Sequence, residues 1–279
     1  MYADARFELE RMVHESSQDL VLIKTISSRL SDIKANKSLA QEYALLSNFD
    51  AKNIIKSRGL KKHENKLFLI LENFVGQSLV QFLDTSSISL PAFLTIALQL
   101  VEALQAIHRQ GIIHRNLQPG CILINPQSLE LTIIDFSWAI KKDSVTTVAS
   151  EVLSGLNILY IAPEQTGRMN TPLDRRADFY SLGILLYQIA TGVLPYHVED
   201  ALELLHSHLA QTPIAPHDLD DRLPLVISSL IMKLLAKNPD DRYQSASAIK
   251  ADLENCHTQY TNYGVIEEFE LATLDRRSQ

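Results

Sequence analysis

The sequence predicts an α+β fold in two unequal parts, a small antiparallel sheet that carries one helix and then a larger helical part. Three observations lead there. Short runs of branched apolar residues, bounded by polar or glycine positions, fall within the first 71 residues. A single stretch among them spaces its apolar residues as a helix does. From residue 90 onward apolar runs of helical length dominate, separated by glycine and proline.

In chain order, residues 19–26, 52–57 and 66–71 read as strands, and residues 1–10 as one more. Residues 35–49, with Leu39, Tyr43 and Leu46 at helical spacing, form the helix between the first two of these. Residues 90–110 begin with Pro91 in a helix-start position and are apolar nearly all round, through Phe93, Leu94, Ile96, Leu100, Leu104 and Ile107. Such a helix belongs in the middle of a core. Further helices are expected over 181–191, 199–211, 224–237 and 245–256, separated by Gly192, Pro195, Pro213, Pro216 and Pro239. The expected organisation is therefore 1–73, 74–256 and a tail, 257–279, without clear periodicity, which leaves the domain as a linker or packs along its surface.

At 279 residues and 46% hydrophobic content the chain can bury a large core. Its formal net charge is −7, with both signs scattered throughout. That argues against a nucleic-acid surface and offers no basic patch for anionic membranes, so proteins or small molecules are the expected partners. The apolar runs 67–71 and 182–187 fall far short of the ~20 residues of a membrane span, and the N-terminus lacks a signal-peptide pattern. A cytoplasmic protein is expected. The two cysteines, Cys121 and Cys256, cannot build a disulfide framework, consistent with a reducing compartment.

The chemistry is concentrated in residues 112–124, Ile-Ile-His-Arg-Asn-Leu-Gln-Pro-Gly-Cys-Ile-Leu-Ile, followed by Ile134-Asp-Phe-Ser137 and Ala162-Pro-Glu164. Their order and spacing resemble the catalytic loop, metal-binding turn and end of the activation segment of eukaryotic-type Ser/Thr protein kinases. The resemblance covers about residues 1–256. It implies a two-lobed kinase-like fold, with 1–73 as a partial N-lobe and 74–256 as the helical C-lobe. Residues 162–170, 174–183 and 234–246 are further similar to the N-terminal kinase-like domains of large bacterial, cyanobacterial-type signalling proteins. In those proteins an ATPase-like region, a GAF sensor and a histidine kinase follow, so downstream signalling domains are implied partners.

The resemblance also assigns the site. Lys24 matches the strand lysine that holds the α and β phosphates, Glu42 is its helix partner, and Glu72 and Phe74 complete the implied cofactor-binding set. ATP with magnesium is the implied cofactor, bound weakly or not at all. A Gly-rich loop should precede Lys24, yet the first glycine in the chain is Gly59. Residues 1–10 are therefore read as the strand after that loop, with the first strand and the loop missing. In the catalytic loop Arg115 is kept, but Asn116 stands where the family carries its aspartate base, and an amide cannot take a proton. Gln118 replaces a lysine that neutralises the transferring phosphoryl group, and Cys121 puts a soft sulfur where magnesium needs a hard oxygen. Asp135 can still coordinate one metal ion, with Ser137 in place of the usual glycine beside it. Glu164 should pair with Arg242, and Asp178 should bond the catalytic-loop backbone. Scaffold kept and chemistry lost predict a pseudokinase acting as a signalling or docking module. The alternatives are an atypical active Ser/Thr kinase working through Lys24 and Asp135, and a nucleotide-independent interaction scaffold.

Other groups are weaker candidates. Ser144, Thr146, Thr147, Ser150 and Ser154 would suit phosphorylation answered by Arg115, but a polar loop explains them as well and is preferred. His206 and His208 lie two apart in a helix and make a poor metal pair. Asp218, Asp220 and Asp221 read as solvated turn residues, and Cys121 as a buried inert thiol.

Overall fold

A computed structural model describes residues 2–3, 7–13, 19–27, 32–64, 66–142, 157–169 and 171–276. The chain divides into two compact units: Met1–Asp84 with Pro119–Ala139, and Thr85–Gln118 with Ile140–Gln279.

The first unit is built on an antiparallel sheet of strands β1 (Tyr2–Ala3), β2 (Phe7–Val13), β3 (Leu20–Ile26), β4 (Ser57–His63) and β5 (Lys66–Glu72), ordered β1-β2-β3-β5-β4. Helix α1 (Asp32–Leu46) packs on β3, β4 and β5 and buries Leu39, Glu42 and Leu46, spaced three and four apart on one face. Alternation along β3 puts Leu22, Lys24 and Ile26 on its buried side. Across the ladder Lys24 sits opposite Leu9 of β2 and Leu69 of β5. A second, three-stranded sheet of β6 (Gln77–Ser78), β8 (Ile122–Ile124) and β9 (Leu131–Ile133) completes the unit, with α2 (Leu79–Thr85) following β6.

The expected strand at 52–57 is corrected. Ile54 and Ile55 are both buried, so the run does not alternate; it is a turn in which Ile54 makes one isolated bridge to Ile133. The strand is β4, whose residues Lys61, Lys62 and His63 are exposed, as a sheet edge requires. Residues 1–10 are likewise not one strand: Tyr2 and Ala3 form a separate β1 that pairs with Leu9 and Glu8 of β2. Helix α1 begins and ends three residues earlier than the apolar spacing predicts.

The second unit is helical. It contains α3 (Leu90–Arg109), a two-stranded ribbon of β7 (Ile112–Ile113) and β10 (Ile140–Lys141), and then α4 (Arg176–Thr191), α5 (Ala201–Ala210), α6 (Pro216–Leu219), α7 (Leu225–Leu234), α8 (Ala246–Tyr263) and α9 (Thr273–Arg276). Ser89 caps α3, its hydroxyl accepting from the Ala92 amide, with Pro91 in the first turn. With 20 residues α3 is long and apolar enough to cross a membrane, which corrects the expectation that every apolar stretch is too short. Phe93, Leu94, Leu100, Leu104 and Ile107 are instead buried where α3 packs on α4 and α8. Helices α4 and α7 cross closely because residue 183 is glycine: a Cβ there would meet Leu234 Cβ at 2.8 Å. The tail is more ordered than its sequence suggests. Helix α8 runs on to Tyr263, and Asp275 accepts from the Gln244 amide and the Ser245 hydroxyl, both at 2.7 Å.

Candidate functional site

In the first unit the strand alternation that turns Lys24 inward brings it against two carboxylates. Its ammonium lies 2.9 and 2.8 Å from the two oxygens of Glu42 and 2.6 Å from Asp135 Oδ1. Burial alone would pull the Lys24 pKa down, but the charges of Asp135 and Glu42 outweigh it and hold the group above its ordinary value. Asp135 is held low: burial opposes this, and the Lys24 cation and the Ser137 amide overcome it. Burial, with Asp135 beside it, raises Glu42 in spite of Lys24. Glu42 Oε1 also accepts from the Phe136 amide at 2.9 Å, so the helix glutamate holds the backbone of the Asp-Phe-Ser turn as well as the lysine.

The opposite side of Lys24 is closed by an aromatic ring. Its ammonium lies 4.6 Å from the centroid of Phe7, which is 2% exposed. The hollow bounded by Phe7, Leu9, Lys24, Ile134 and Asp135 holds about 10 Å³. That is about the least that admits one water. Cys121 is fully buried, its Sγ 3.6 Å from Asp135 Oδ2. In nucleotide sites magnesium is held by one or two carboxylates together with phosphate oxygens and waters; here Asp135 is the one carboxylate, bonded to Lys24, and the Cys121 thiol beside it is a soft, poor ligand for magnesium. Among the described residues no group of three or more His, Cys, Asp or Glu side chains is arranged to hold a metal ion. Glu72 and Phe74 do not join this cluster's bonds: Glu72 Oε1 accepts from the Lys56 amide at 3.2 Å, and the Phe74 carbonyl accepts from Arg11 Nη2 at 2.8 Å.

In the second unit fully buried Asp178 organises the loop that carries Arg115 and Asn116. Its Oδ2 accepts from the His114 amide at 2.9 Å and its Oδ1 from the Arg115 amide at 2.7 Å. Arg115 is left-handed, with φ 69°, a conformation that needs support for a side chain of this size. The support comes from both sides, because Gln165 donates to the Arg115 carbonyl at 2.8 Å. Beyond it runs a chain of neutral amides: Asn157 bonds Gln118, and Gln118 Nε2 donates to Asn116 Oδ1 at 3.4 Å. Asn116 and Gln118, where the resembling family carries a base and a lysine, are thus both amides, while Arg115 between His114 and Asn116 is kept. Glu164 and Arg242 form a bidentate pair at 2.7 and 2.9 Å.

Phe7, Asn157 and Gln165 were not singled out by sequence. Phe7 had a legible signal, since pairing residues 7–9 with β3 puts Phe7 and Leu9 on the face of Lys24; Asn157 and Gln165 are joined to the loop by folding alone. Ser144, Thr146, Thr147, Ser150 and Ser154 lie outside the described residues. His206 is exposed while His208 is buried against Tyr180, so the two do not converge. Asp220 is held by Arg222 at 2.8 Å.

Residues 8–253 match the family described as protein kinase domain. Among curated proteins the chain is 28% identical over 212 residues to a probable serine/threonine-protein kinase of Clostridium acetobutylicum, covering 75% of this chain and 32% of that one. It is 31% identical over 250 residues to the serine/threonine-protein kinase pkn3 of Myxococcus xanthus, covering 86% and 45%. It is also 31% identical over 237 residues to hybrid signal transduction histidine kinase G of Dictyostelium discoideum, covering 61% and 7%. The chain thus spans less than half the length of each of these relatives.

Proposed function

Because the chain belongs to the protein kinase family, we propose that it works as a pseudokinase, a signalling or docking module that binds ATP weakly or not at all and transfers phosphate poorly. Kinases of this family use ATP and magnesium, and the sheet-based and helical halves of the fold are retained here. The reading rests above all on Lys24, whose ammonium is held by Glu42 and Asp135 under the ring of Phe7, with about 10 Å³ beside it. A nucleotide phosphate that reaches Lys24 competes with Asp135 for it and meets the Phe7 ring beside it. Asn116 and Gln118, bonded to each other as neutral amides, support the same reading, since neither can take the substrate proton nor neutralise a phosphoryl group. The similarity to a hybrid signal transduction histidine kinase favours a protein partner of the signalling class.

A second reading, an atypical active Ser/Thr kinase, is favoured by the intact Lys24–Glu42 pair and by the names of the bacterial relatives. Incubation with labelled ATP, magnesium or manganese and generic protein substrates separates the two. The pseudokinase reading expects transfer to be absent or very slow, far below that of a working kinase. Turnover in the usual range of ~1–100 s⁻¹, abolished by Asp135→Ala, would overturn it.

A further inference from the structure

Strand β2 touches the implied cofactor-binding set at two places. Phe7, Leu9 and Arg11 alternate onto one face of the strand, and Phe7 and Leu9 of that face bound the hollow beside Lys24 and Asp135. The ladder carries the face outward from the lysine, with Leu9 opposite Lys24 and Arg11 opposite Leu22. At one end the Phe7 ring lies 4.6 Å from the Lys24 ammonium. At the other, Arg11 Nη2 donates to the Phe74 carbonyl at 2.8 Å, just beyond the end of β5 at Glu72. Both contacts lie within the first unit. The guanidinium is only part-satisfied where it lies, because its Nε is buried without a hydrogen-bond partner. An unpaired buried donor is destabilising, so this position of Arg11 is held shallowly.

We propose that Arg11 is an autoinhibitory latch, whose guanidinium occupies the Phe74 carbonyl and competes there with the nucleoside part of a nucleotide. The latch rests on the reading that Lys24 and Phe74 belong to one nucleotide site. Lys24 is the implied holder of the α and β phosphates, so the uncharged Phe74 carbonyl is left for the N–H or O–H donors of the nucleoside. Arg11 supplies such a donor from within the chain, and as a cation it makes the stronger bond. A side chain that only contributed positive charge to the site would instead attract a nucleotide. The two roles therefore predict opposite effects of removing Arg11 on the binding of a phosphorylated ligand.

The test is an amide NMR titration of the full chain with adenosine and with ADP, each without magnesium, in the parent and in Arg11→Ala, Arg11→Lys and Lys62→Gln. Arg11→Ala should bind both ligands about five- to tenfold more tightly, as loss of a competing charge-assisted bond does. The shifts should centre on the amides of Phe74, Val75 and Gly76. Arg11→Lys, which keeps a cationic donor on a long stem, should gain less. Lys62→Gln removes an exposed cation elsewhere in the sheet and should leave affinity unaltered. Adenosine binding to Arg11→Ala no tighter than to the parent, including none detectable, would overturn the latch, as would weaker binding of ADP. Either result leaves the reading of a weak nucleotide site standing. A parent that binds ADP tightly with Arg11 in place and also transfers phosphate would overturn that reading, and the latch with it.

Discussion

Lys24 Nζ stands 2.6 Å from Asp135 Oδ1 and 2.8 Å from Glu42 Oε2, with none of the three side chains more than 4% exposed. One cation between two buried carboxylates is a structural centre as much as a nucleotide contact. Lys24→Met should therefore destabilise the protein by about 3–5 kcal/mol at neutral pH without any nucleotide, because both carboxylates lose their counter-charge. In the variant the folded carboxyl groups titrate above their unfolded values, so stability should be recovered as pH falls and lost as it rises. Urea unfolding at neutral and mildly acidic pH reads this directly. A variant as stable as the parent, with the same pH profile, would refute the buried triad.

Phe7 is the ring that lies over the Lys24 ammonium, 2% exposed and 4.6 Å from it at the ring centroid. Phe7→Ala should raise affinity for a fluorescent ADP analogue about tenfold or more while lowering stability by about 3 kcal/mol through the cavity it leaves. Loss of stability with no gain in affinity would mean that the ring is core and not a block.

The contrast between two arginine pairs isolates burial. Arg242 and Glu164 are 0% and 1% exposed, whereas Arg222 next to Asp220 is 86% exposed. Arg242→Ala should cost about 3–5 kcal/mol, whereas Arg222→Ala should leave the melting temperature nearly unchanged. Calorimetric melting of both variants checks this, and equal effects would show that the Glu164 contact is not a buried pair.

His208 is pushed down from 6.5 to about 4 by burial and by Lys237. The unfolded chain therefore binds a proton that the folded one refuses, and stability present above the ordinary value is lost as pH falls toward 4. About 3 kcal/mol is at stake. Denaturation of His208→Phe should show a flatter profile across this window; an unchanged slope would assign the acid sensitivity elsewhere.

Much of this was legible in residue order alone. Branched apolar runs marked β3 and β5, all-round apolarity marked α3 as a core helix, and the eighteen-residue spacing of Lys24 and Glu42 marked a pair that the fold closes to 2.8 Å. The replacements at residues 116, 118 and 121 are likewise matters of residue identity, which needs no coordinates. Local pattern failed where tertiary contact overrode it. The Ile54–Ile55 run is buried as a turn because neighbours cover both sides, while the true strand, β4, is polar because it forms a sheet edge. The tail is ordered by Asp275, whose bonds to Gln244 and Ser245 join positions some thirty residues apart. Which groups oppose Lys24 was also a tertiary decision. A sequence can supply a lysine, two carboxylates and a phenylalanine, but only strand pairing and helix packing set Phe7 over the ammonium and put Asp135, 111 residues away, within 2.6 Å of it.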